Sequence, residues 1–270
     1  MLNAFINELN IMKKIISYVM AIIAFSGLTA CGDGSNDSTA NQGPQGLWIG
    51  TTNTGYDLAA IVLENGDYYS LYSQDEIIIG ANYGNIITTD NAFIGTLKDI
   101  YVPNNKTNSG SLAGSFVPKA TLQGITSYDD NKVGAFTTTY RDSYDTPATL
   151  EAIAGQYSGP IFRSSLIATL DIDDDGTVNG YTQRTTTTLP SCMISGNVVP
   201  RASGKNVYDL TLVWKNNPDP NAPICCNPGS STCATGTPTT GIAVVDGTYL
   251  YTAWINVANT GGFLWRGSKQ

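Results

Sequence analysis

The sequence predicts an all-β protein with two small antiparallel β-barrels or sandwiches in tandem. Three observations lead to this fold class. Short β-prone runs follow one another at spacings of roughly 8 to 12 residues with Gly or Asn between them, as in antiparallel meanders. Asn-Gly and Asp-Gly pairs mark hairpin turns, because these residues tolerate positive φ. The second half of the chain then repeats the pattern of the first half. A single large β domain is the alternative.

The first β domain is expected over residues 46–145. The run 47–50 opens it, and strands at 58–63 and 68–72 flank the hairpin turn Asn65-Gly66. The glycines are interpreted as turn residues. Further strands are predicted at Ile77 to Ile79, Gly84 to Thr88, Ala92 to Leu97, Ser111 to Phe116, Thr121 to Thr126 and Val133 to Tyr140.

A short helix is predicted over residues 146–154, between the two halves. Thr146 is the expected N-cap, Pro147 the first helical residue, and Gly155 the end of the helix. This spacing leaves room for about two helical turns.

The second β domain is expected over residues 155–270. Gly155 to Gly159 resembles Gly46 to Gly50, and the turn Asp175-Gly176 resembles Asn65-Gly66. The offsets of 109 and 110 residues suggest a duplication. Strands are predicted at Leu166 to Ile172, Thr177 to Tyr181, Met193 to Val199, Val207 to Trp214, Gly241 to Val245, Tyr249 to Val257 and Phe263 to Arg266.

Residues 1–30 have the features of an export signal. Lys13 and Lys14 form a positive region, an apolar run follows, and small residues precede Cys31. Residues 12–31 resemble a bacterial lipoprotein signal peptide, with Leu28-Thr29-Ala30-Cys31 in the place of the lipobox. The resemblance implies cleavage before Cys31 and acyl chains attached to its thiol. The true start is Met1 or Met12.

Residues 31–45 are predicted to be a flexible tether, because they include no aliphatic residue larger than Ala and cannot bury a face. In lipoproteins the residue after the cysteine influences sorting. By that resemblance Gly32 favours the outer membrane of the cell envelope, while the side of the membrane that the protein faces stays open.

Composition excludes several classes of function. The chain has 14 Lys+Arg and 22 Asp+Glu, and cleavage would remove Lys13, Lys14 and Glu8, leaving 12 and 21, a net charge of −9. This acidity argues against nucleic acid, so membrane attachment would depend on the acyl chains of Cys31. The chain contains no His, which excludes Ser-His-Asp triads and His-ligated metals. We expect no cofactor and no enzymatic activity.

Four cysteines remain after Cys31, and an even number in an exported protein predicts two disulfides rather than a metal site. A bond between the adjacent Cys225 and Cys226 would be strained. The favoured pairing joins Cys192 to one of these two residues and Cys233 to the other.

The segment from Asp171 to Thr177 resembles the start of a calcium loop, with Asp171, Asp173 and Asp175 in alternate positions before Gly176. Thr182 stands where such a loop places its bidentate Glu. The segment is therefore interpreted mainly as a hairpin turn, and calcium stays a weak candidate.

Paired carboxylates are the remaining route to an enzyme, a glycoside hydrolase for example, although their spacing fixes no pair. The candidates are Glu64, Glu76, Asp129, Asp130, Asp142 and Asp145.

Aromatic residues are frequent on the predicted strands, and most of them are expected in the core. A minority would line a barrel mouth or a partner surface. They are Trp48, Tyr68, Tyr69, Tyr72, Tyr157, Trp214, Tyr249, Tyr251, Trp254 and Trp265.

The short meandering strands resemble, in general style, the small barrels of calycin-type proteins and of Gram-negative surface lipoproteins. Two functional hypotheses follow. The first is a non-enzymatic lipoprotein with a binding or structural role toward another envelope or surface protein. The second is a small-ligand carrier with a calycin-like cavity. An apolar cavity of a few hundred cubic ångströms in either half would favour the carrier, and filled barrels would favour the first hypothesis.

Replacing Cys31 with Ser removes the thiol that the signal peptide resemblance assigns to acylation. We expect Cys31→Ser to leave the membrane fraction or to accumulate as unprocessed precursor, as measured by fractionation and gel mobility. Cys192→Ser serves as the control, because it should keep the membrane attachment. Wild-type fractionation and mobility of the Cys31 variant would contradict the lipoprotein assignment.

Overall fold

The structure is a computed structural model that describes residues 43–104, 106–161, 166–222, 236, 238–255 and 262–270. The predicted signal peptide, Cys31 and most of the tether lie outside the described residues. So do Cys225, Cys226 and Cys233, together with most of the predicted loop that contains them.

Sixteen strands in the described part of the chain form two closed antiparallel barrels of eight strands each. The predicted fold class is confirmed, and the barrel form applies to both halves. In each barrel the strands follow chain order, and the first strand pairs with the last to close the sheet. Closure removes the exposed edges that an open sheet of this size would present.

The strands of the first barrel end before the linker, and those of the second begin directly after it. The first barrel consists of β1 (Gly46–Thr52), β2 (Asp57–Val62), β3 (Asp67–Gln74), β4 (Ile77–Thr89), β5 (Ala92–Tyr101), β6 (Lys106–Val117), β7 (Thr121–Tyr128) and β8 (Val133–Tyr140). The second barrel consists of β9 (Gly155–Ile161), β10 (Leu166–Ile172), β11 (Thr177–Arg184), β12 (Cys192–Pro200), β13 (Tyr208–Asn216), β14 (Thr239–Asp246), β15 (Tyr249–Ile255) and β16 (Gly262–Lys269).

Strand β4 differs from the prediction, because the two short strands predicted at 77–79 and 84–88 are one strand of 13 residues. The prediction left residues 80–83, which include Gly80 and Asn82, between the two strands and began the second strand at Gly84. Asn82 lines the interior of the barrel, and Gly80 and Gly84 share its register. Small and polar side chains at these positions therefore belong to the strand.

The linker also differs in detail. A 3₁₀ turn over Asp142–Asp145 comes first, and helix α1 covers only Leu150–Ile153. Its N-cap is Thr149, whose hydroxyl accepts a hydrogen bond of 3.2 Å from the backbone N–H of Ala152. The prediction of Thr146 as the cap was wrong. In the described ranges no helix is both long and apolar enough to span a membrane.

The extended conformation before α1 has a visible cause. The hydroxyl of Tyr208 donates to the carbonyl oxygen of Thr149 at 2.9 Å, and the backbone N–H of Thr149 donates back to this hydroxyl at 3.2 Å. The Ala148 N–H donates to the carbonyl of Lys205 at 3.3 Å. These tertiary hydrogen bonds hold the residues after Pro147 extended, so helix formation begins later than the local sequence suggests.

The two barrels repeat one hairpin at an offset of 110 residues. In the first barrel the N–H of Leu63 donates to the carbonyl of Asp67, and in the second Asp173 donates to Thr177 in the same way. Gly66 and Gly176 occupy the turns with φ of 84° and 85°. The two hairpins therefore share their backbone hydrogen bond and turn conformation as well as their sequence pattern.

The second barrel is filled by aromatic side chains. Trp214 packs edge-on against Phe263 at a ring distance of 5.0 Å, and Phe263 stacks on Trp265 at 5.8 Å. Trp254 lies 6.3 Å from both Trp214 and Phe263. All four rings are at most 1% exposed. An eight-stranded barrel is just wide enough for side chains to fill, and here they do so.

The barrels pack against each other through outward-facing apolar residues. Leu47, Ile61 and Leu71 of the first barrel share a buried cluster with Ile242 and Val244 of the second. Because residues 42–270 form one compact unit, the predicted division into separate domains stays a prediction.

Candidate functional site: a cavity in the first barrel

The first barrel encloses a cavity of about 370 Å³. In the second barrel the corresponding interior is filled by an aromatic core. Inward-facing residues of six strands form its apolar walls. They are Leu58, Ala60, Val62, Ile86, Phe93, Leu97, Leu112, Leu122 and Phe136.

Glycines on the inward register contribute to the space in this barrel, although the filled second barrel also carries inward glycines, such as Gly180 and Gly196. Gly95 lies between the inward residues Phe93 and Leu97 of β5, and β4, β6 and β7 also carry glycines at inward positions. Each of them omits a side chain from the interior. The general interpretation of the glycines as turn residues therefore does not hold for these positions, although Gly95 already lay inside a predicted strand.

Glycine also lets aromatic rings lie against the wall. The ring of Tyr72 crosses Gly80 on the neighbouring strand, where a Cβ would collide with the tyrosine hydroxyl. Phe93 packs across Gly114 in the same manner. Such pairs cover the glycine backbone with a ring. The rings therefore occupy the wall rather than the centre of the barrel.

The cavity opens at one end of the barrel and is closed at the other. Exposed lining residues at the open end are Asn53 and Thr54 of the β1–β2 connection, Lys106, and Lys132 of the β7–β8 hairpin. At the closed end Trp48 is fully buried, and its indole N–H donates to the carbonyl of Pro44 at 2.9 Å. A ligand would therefore enter past the two lysines.

A row of polar side chains crosses the cavity wall between the mouth and the apolar floor. Ser70, Asn82, Asp99 and Asn108 lie on β3, β4, β5 and β6, and each pairs directly with the next across the sheet. All four line the cavity. We call these four residues the polar belt. Buried polar groups in a barrel interior cost free energy unless partners satisfy them.

Asp99 is the acidic member of the polar belt and is only 6% exposed. Its Oδ1 accepts a hydrogen bond of 2.7 Å from the hydroxyl of Tyr72, and Asn108 also hydrogen-bonds to its side chain. Burial raises the pKa of the Asp99 carboxyl above its ordinary value, while these hydrogen bonds and the charge of Lys106 oppose the increase.

An aromatic collar surrounds the upper part of the cavity. Its members are Tyr56, Tyr72, Tyr101, Tyr128 and Phe136, and all of them line the space. Tyr56 and Tyr72 stack at a ring distance of 5.9 Å. Burial raises the pKa of the Tyr72 and Tyr128 hydroxyls, and Asp99 adds to the increase. Both phenols are therefore neutral hydrogen-bonding groups at physiological pH.

The calcium candidates lie away from this cavity. Asp171 is on β10, and Asp173 and Asp175 belong to the hairpin turn before β11, where Asp175 Oδ1 accepts from the Thr177 N–H at 2.8 Å. That hydrogen bond lowers the pKa of the Asp175 carboxyl. The part of the chain that the structure describes contains no group of three residues suited to a metal ion.

Four of the carboxylates considered for hydrolysis are in ion pairs. Glu64 contacts Arg201 at 2.9 Å, and Glu76 lies 3.6 Å from Arg266. Asp130 contacts Lys132 at 2.6 Å.

Asp145 forms ion pairs with Lys119 and Lys205 at 2.7 and 2.8 Å. Asp129 and Asp142 are exposed at the surface. The structure brings none of these carboxylates into the cavity. Among the described residues Asp99 is its one carboxylate.

Cys192 begins β12, is buried against the aromatic core of the second barrel, and is disulfide-bonded. The other cysteines lie outside the described residues, so the pairing with Cys225, Cys226 and Cys233 stays a prediction.

The aromatic residues divide mainly as expected. Seven of the ten are buried, and of these Tyr68 and Tyr72 line the cavity, while Tyr69, Tyr249 and Tyr251 are only partly buried. Sequence reasoning missed Asp99, because the predicted strand ended at Leu97, whereas β5 continues to Tyr101. The alternation of Phe93, Leu97 and Asp99 is the signal that would have placed this carboxylate inside.

Comparisons with known proteins give a fold likeness alone. No family model matches the chain, and no curated protein matches it. It is similar to the crystal structure of isotype 1 transferrin binding protein B from serogroup B Neisseria meningitidis, with a TM-score of 0.33 and 11% identity over 80% of this chain and 59% of that one. A mutant of transferrin binding protein B from Haemophilus parasuis Hp5 gives a TM-score of 0.31 and 10% identity over 82% and 66%. The chain spans less than two thirds of either protein, and at these TM-scores the likeness carries no argument about function.

The burial of Asp99 predicts an elevated titration midpoint. We expect its carboxyl carbon, followed by ¹³C NMR, to titrate above the ordinary Asp value of about 3.9, whereas Asp175 should titrate below it. Since the folded-state pKa exceeds the unfolded one, the stability that Asp99 contributes is present below the unfolded pKa and is lost as pH rises through the folded pKa. The Asp99→Asn variant assigns the signal. Titration of Asp99 at or below the ordinary value would contradict its placement inside the barrel.

Proposed function

We propose that this chain is a non-enzymatic, lipid-anchored lipoprotein of the cell envelope whose first barrel binds a small ligand. The cavity of about 370 Å³ carries this proposal. Its volume is within the range of small-molecule sites, roughly 300 to 1,000 Å³. A hollow barrel favours the calycin-like carrier, which the sequence offered as the alternative to a protein-binding role.

The contrast between the two barrels supports a function for the empty space. Both are closed barrels of eight strands with the same strand order, and the second is packed with Trp214, Trp254, Phe263 and Trp265. A cavity in a protein core costs stability roughly in proportion to its size. The first barrel therefore accepts a loss of stability that the second barrel avoids. A binding site requires such an empty space.

Location in the envelope rests on the signal peptide resemblance. Acylation of Cys31 would hold the folded part at a membrane, and Gly32 favours the outer membrane by the same resemblance. A non-enzymatic role is supported by the absence of His from the sequence. The ion pairs of Glu64 and Asp145 further support it, because they occupy carboxylates that a hydrolase would need.

Filling the cavity should abolish ligand binding. We expect Ala60→Trp, which projects an indole from β2 into the space, to reduce binding of the neutral apolar fluorophore N-phenyl-1-naphthylamine at least about tenfold. The full-length protein would be titrated in lipid nanodiscs, with empty nanodiscs as the blank. Fluorescence enhancement gives the dissociation constant, and circular dichroism verifies that the variant is folded.

The matched control is Ile94→Trp, which adds the same ring on the outer face of β5, where Ile94 is 61% exposed. It should bind the fluorophore as the wild type does. Equal binding by the Ala60 variant, or no binding by the wild type, would contradict the proposal.

A second candidate function is binding to another envelope or surface protein. A specific feature favours it. Ile87, Ile94, Ala113 and Ile125 are cross-strand neighbours on the outside of β4 to β7, and Ile87 and Ile94 are 68% and 61% exposed. A contiguous apolar row on a surface is typical of interaction sites. It lies outside the cluster that joins the two barrels.

This second candidate predicts a position-dependent crosslink. A photoreactive amino acid at Ile94 should form a specific covalent adduct on intact cells, detected as a band of higher mass. The same residue at Val199, which is 51% exposed on the second barrel, is the control. Indistinguishable bands from both positions would remove the support for a partner on this surface.

A further inference from the structure

We propose that the ligand of the first barrel carries a protonated amine, which Asp99 and Asn82 receive, attached to an apolar body that occupies the cavity floor. This inference rests on the proposed ligand-binding function and specifies its chemical class.

Asp99 retains capacity to accept hydrogen bonds. A carboxylate has about four lone-pair positions, and the hydrogen bonds from Tyr72 and Asn108 occupy two of them. The residue lines the cavity and is almost fully buried. A cationic donor entering the cavity would meet a carboxylate in a site of low dielectric, where charge-assisted hydrogen bonds are strong.

Asn82 supplies a second acceptor beside the first. Its Oδ1 is buried without a hydrogen-bond partner in the described structure, and its side chain hydrogen-bonds to Tyr128. Asn82 pairs directly with Asp99 across the sheet, which places their Cβ atoms about 5 Å apart. One ammonium group with three donors could therefore bond to both side chains at once.

The aromatic collar suits a cation in the same space. Tyr56, Tyr72, Tyr101, Tyr128 and Phe136 surround the cavity above its apolar floor. The face of an aromatic ring attracts a cation within about 6 Å of its centroid. Rings that lie along the wall, as Tyr72 does across Gly80, present such faces inward.

Lys106 and Lys132 at the mouth would favour an anionic ligand instead, but their contacts reduce this preference. Lys106 and Lys132 both contact Asp130, at 3.3 and 2.6 Å, so a carboxylate of the protein already neutralises part of their charge. Their side chains are 46% and 69% exposed, where water and salt screen an added anion. The buried charge at Asp99 faces no such competition from solvent.

Three ligands of one shape test the inference. Phenethylamine, which is protonated at pH 7, is compared with neutral 2-phenylethanol and anionic 3-phenylpropanoate as competitors for N-phenyl-1-naphthylamine bound to the full-length protein in nanodiscs. We expect phenethylamine to compete at least about tenfold better than either of the others. In Asp99→Asn this advantage should disappear, and the three competitors should displace the fluorophore about equally well.

The matched control is Asp57→Asn, which makes the same change of charge at an exposed residue outside the cavity lining. It should keep the preference for the amine. Equal competition by phenethylamine and phenylethanol in the wild type would overturn the inference while leaving ligand binding intact. Stronger competition by phenylpropanoate would overturn it in favour of the mouth lysines, and failure of the fluorophore to bind would instead contradict the proposed function. The comparison on the wild type decides the matter even if Asp99→Asn does not fold.

Discussion

This structure depends on one constraint, the volume of the side chains that face the inside of each eight-stranded barrel. Such a barrel has an interior just wide enough for side chains to fill or for one small ligand. In the second barrel Trp214 and Trp254 meet in the centre. In the first, Gly80 and Gly114 let Tyr72 and Phe93 lie along the wall. Two barrels with the same strand order therefore differ in what their interiors hold.

The same constraint explains how the barrels combine. A closed barrel has two surfaces, and along each strand alternate residues face the inside and the outside. Leu47 and Ile61 on the outside of the first barrel pack with Ile242 of the second in one buried cluster. The hollow barrel therefore buries apolar side chains on its outer wall in addition to the apolar cluster inside it. This arrangement gives a physical reason why the filled barrel packs against the outer wall of the barrel that contains the cavity.

The strands and hairpins were predictable from sequence, because each is signalled by residues close in the chain. Gly66 and Gly176 mark their turns, and both adopt the positive φ that the prediction required. The cap of α1 was not predictable, since Tyr208, about sixty residues away, holds Thr149 extended. The cavity was not predictable either. Its existence depends on how the volumes of the inward side chains of eight strands add together. An inward glycine such as Gly80 resembles a turn residue when only its neighbours in the sequence are considered.

The fifth strands of the two barrels place different side chains inside. On β13 the buried positions Tyr208, Leu210, Leu212 and Trp214 alternate along the strand and are all apolar or aromatic. On β5 the corresponding alternation begins with an apolar ring and reaches Asp99. A buried carboxylate costs stability unless it is paired, and β13 shows that a closed barrel of this chain forms without one. Under the proposed function, the Asp99 carboxylate serves the ligand that enters the cavity, since the second barrel closes with only apolar and aromatic side chains at the inward positions of β13.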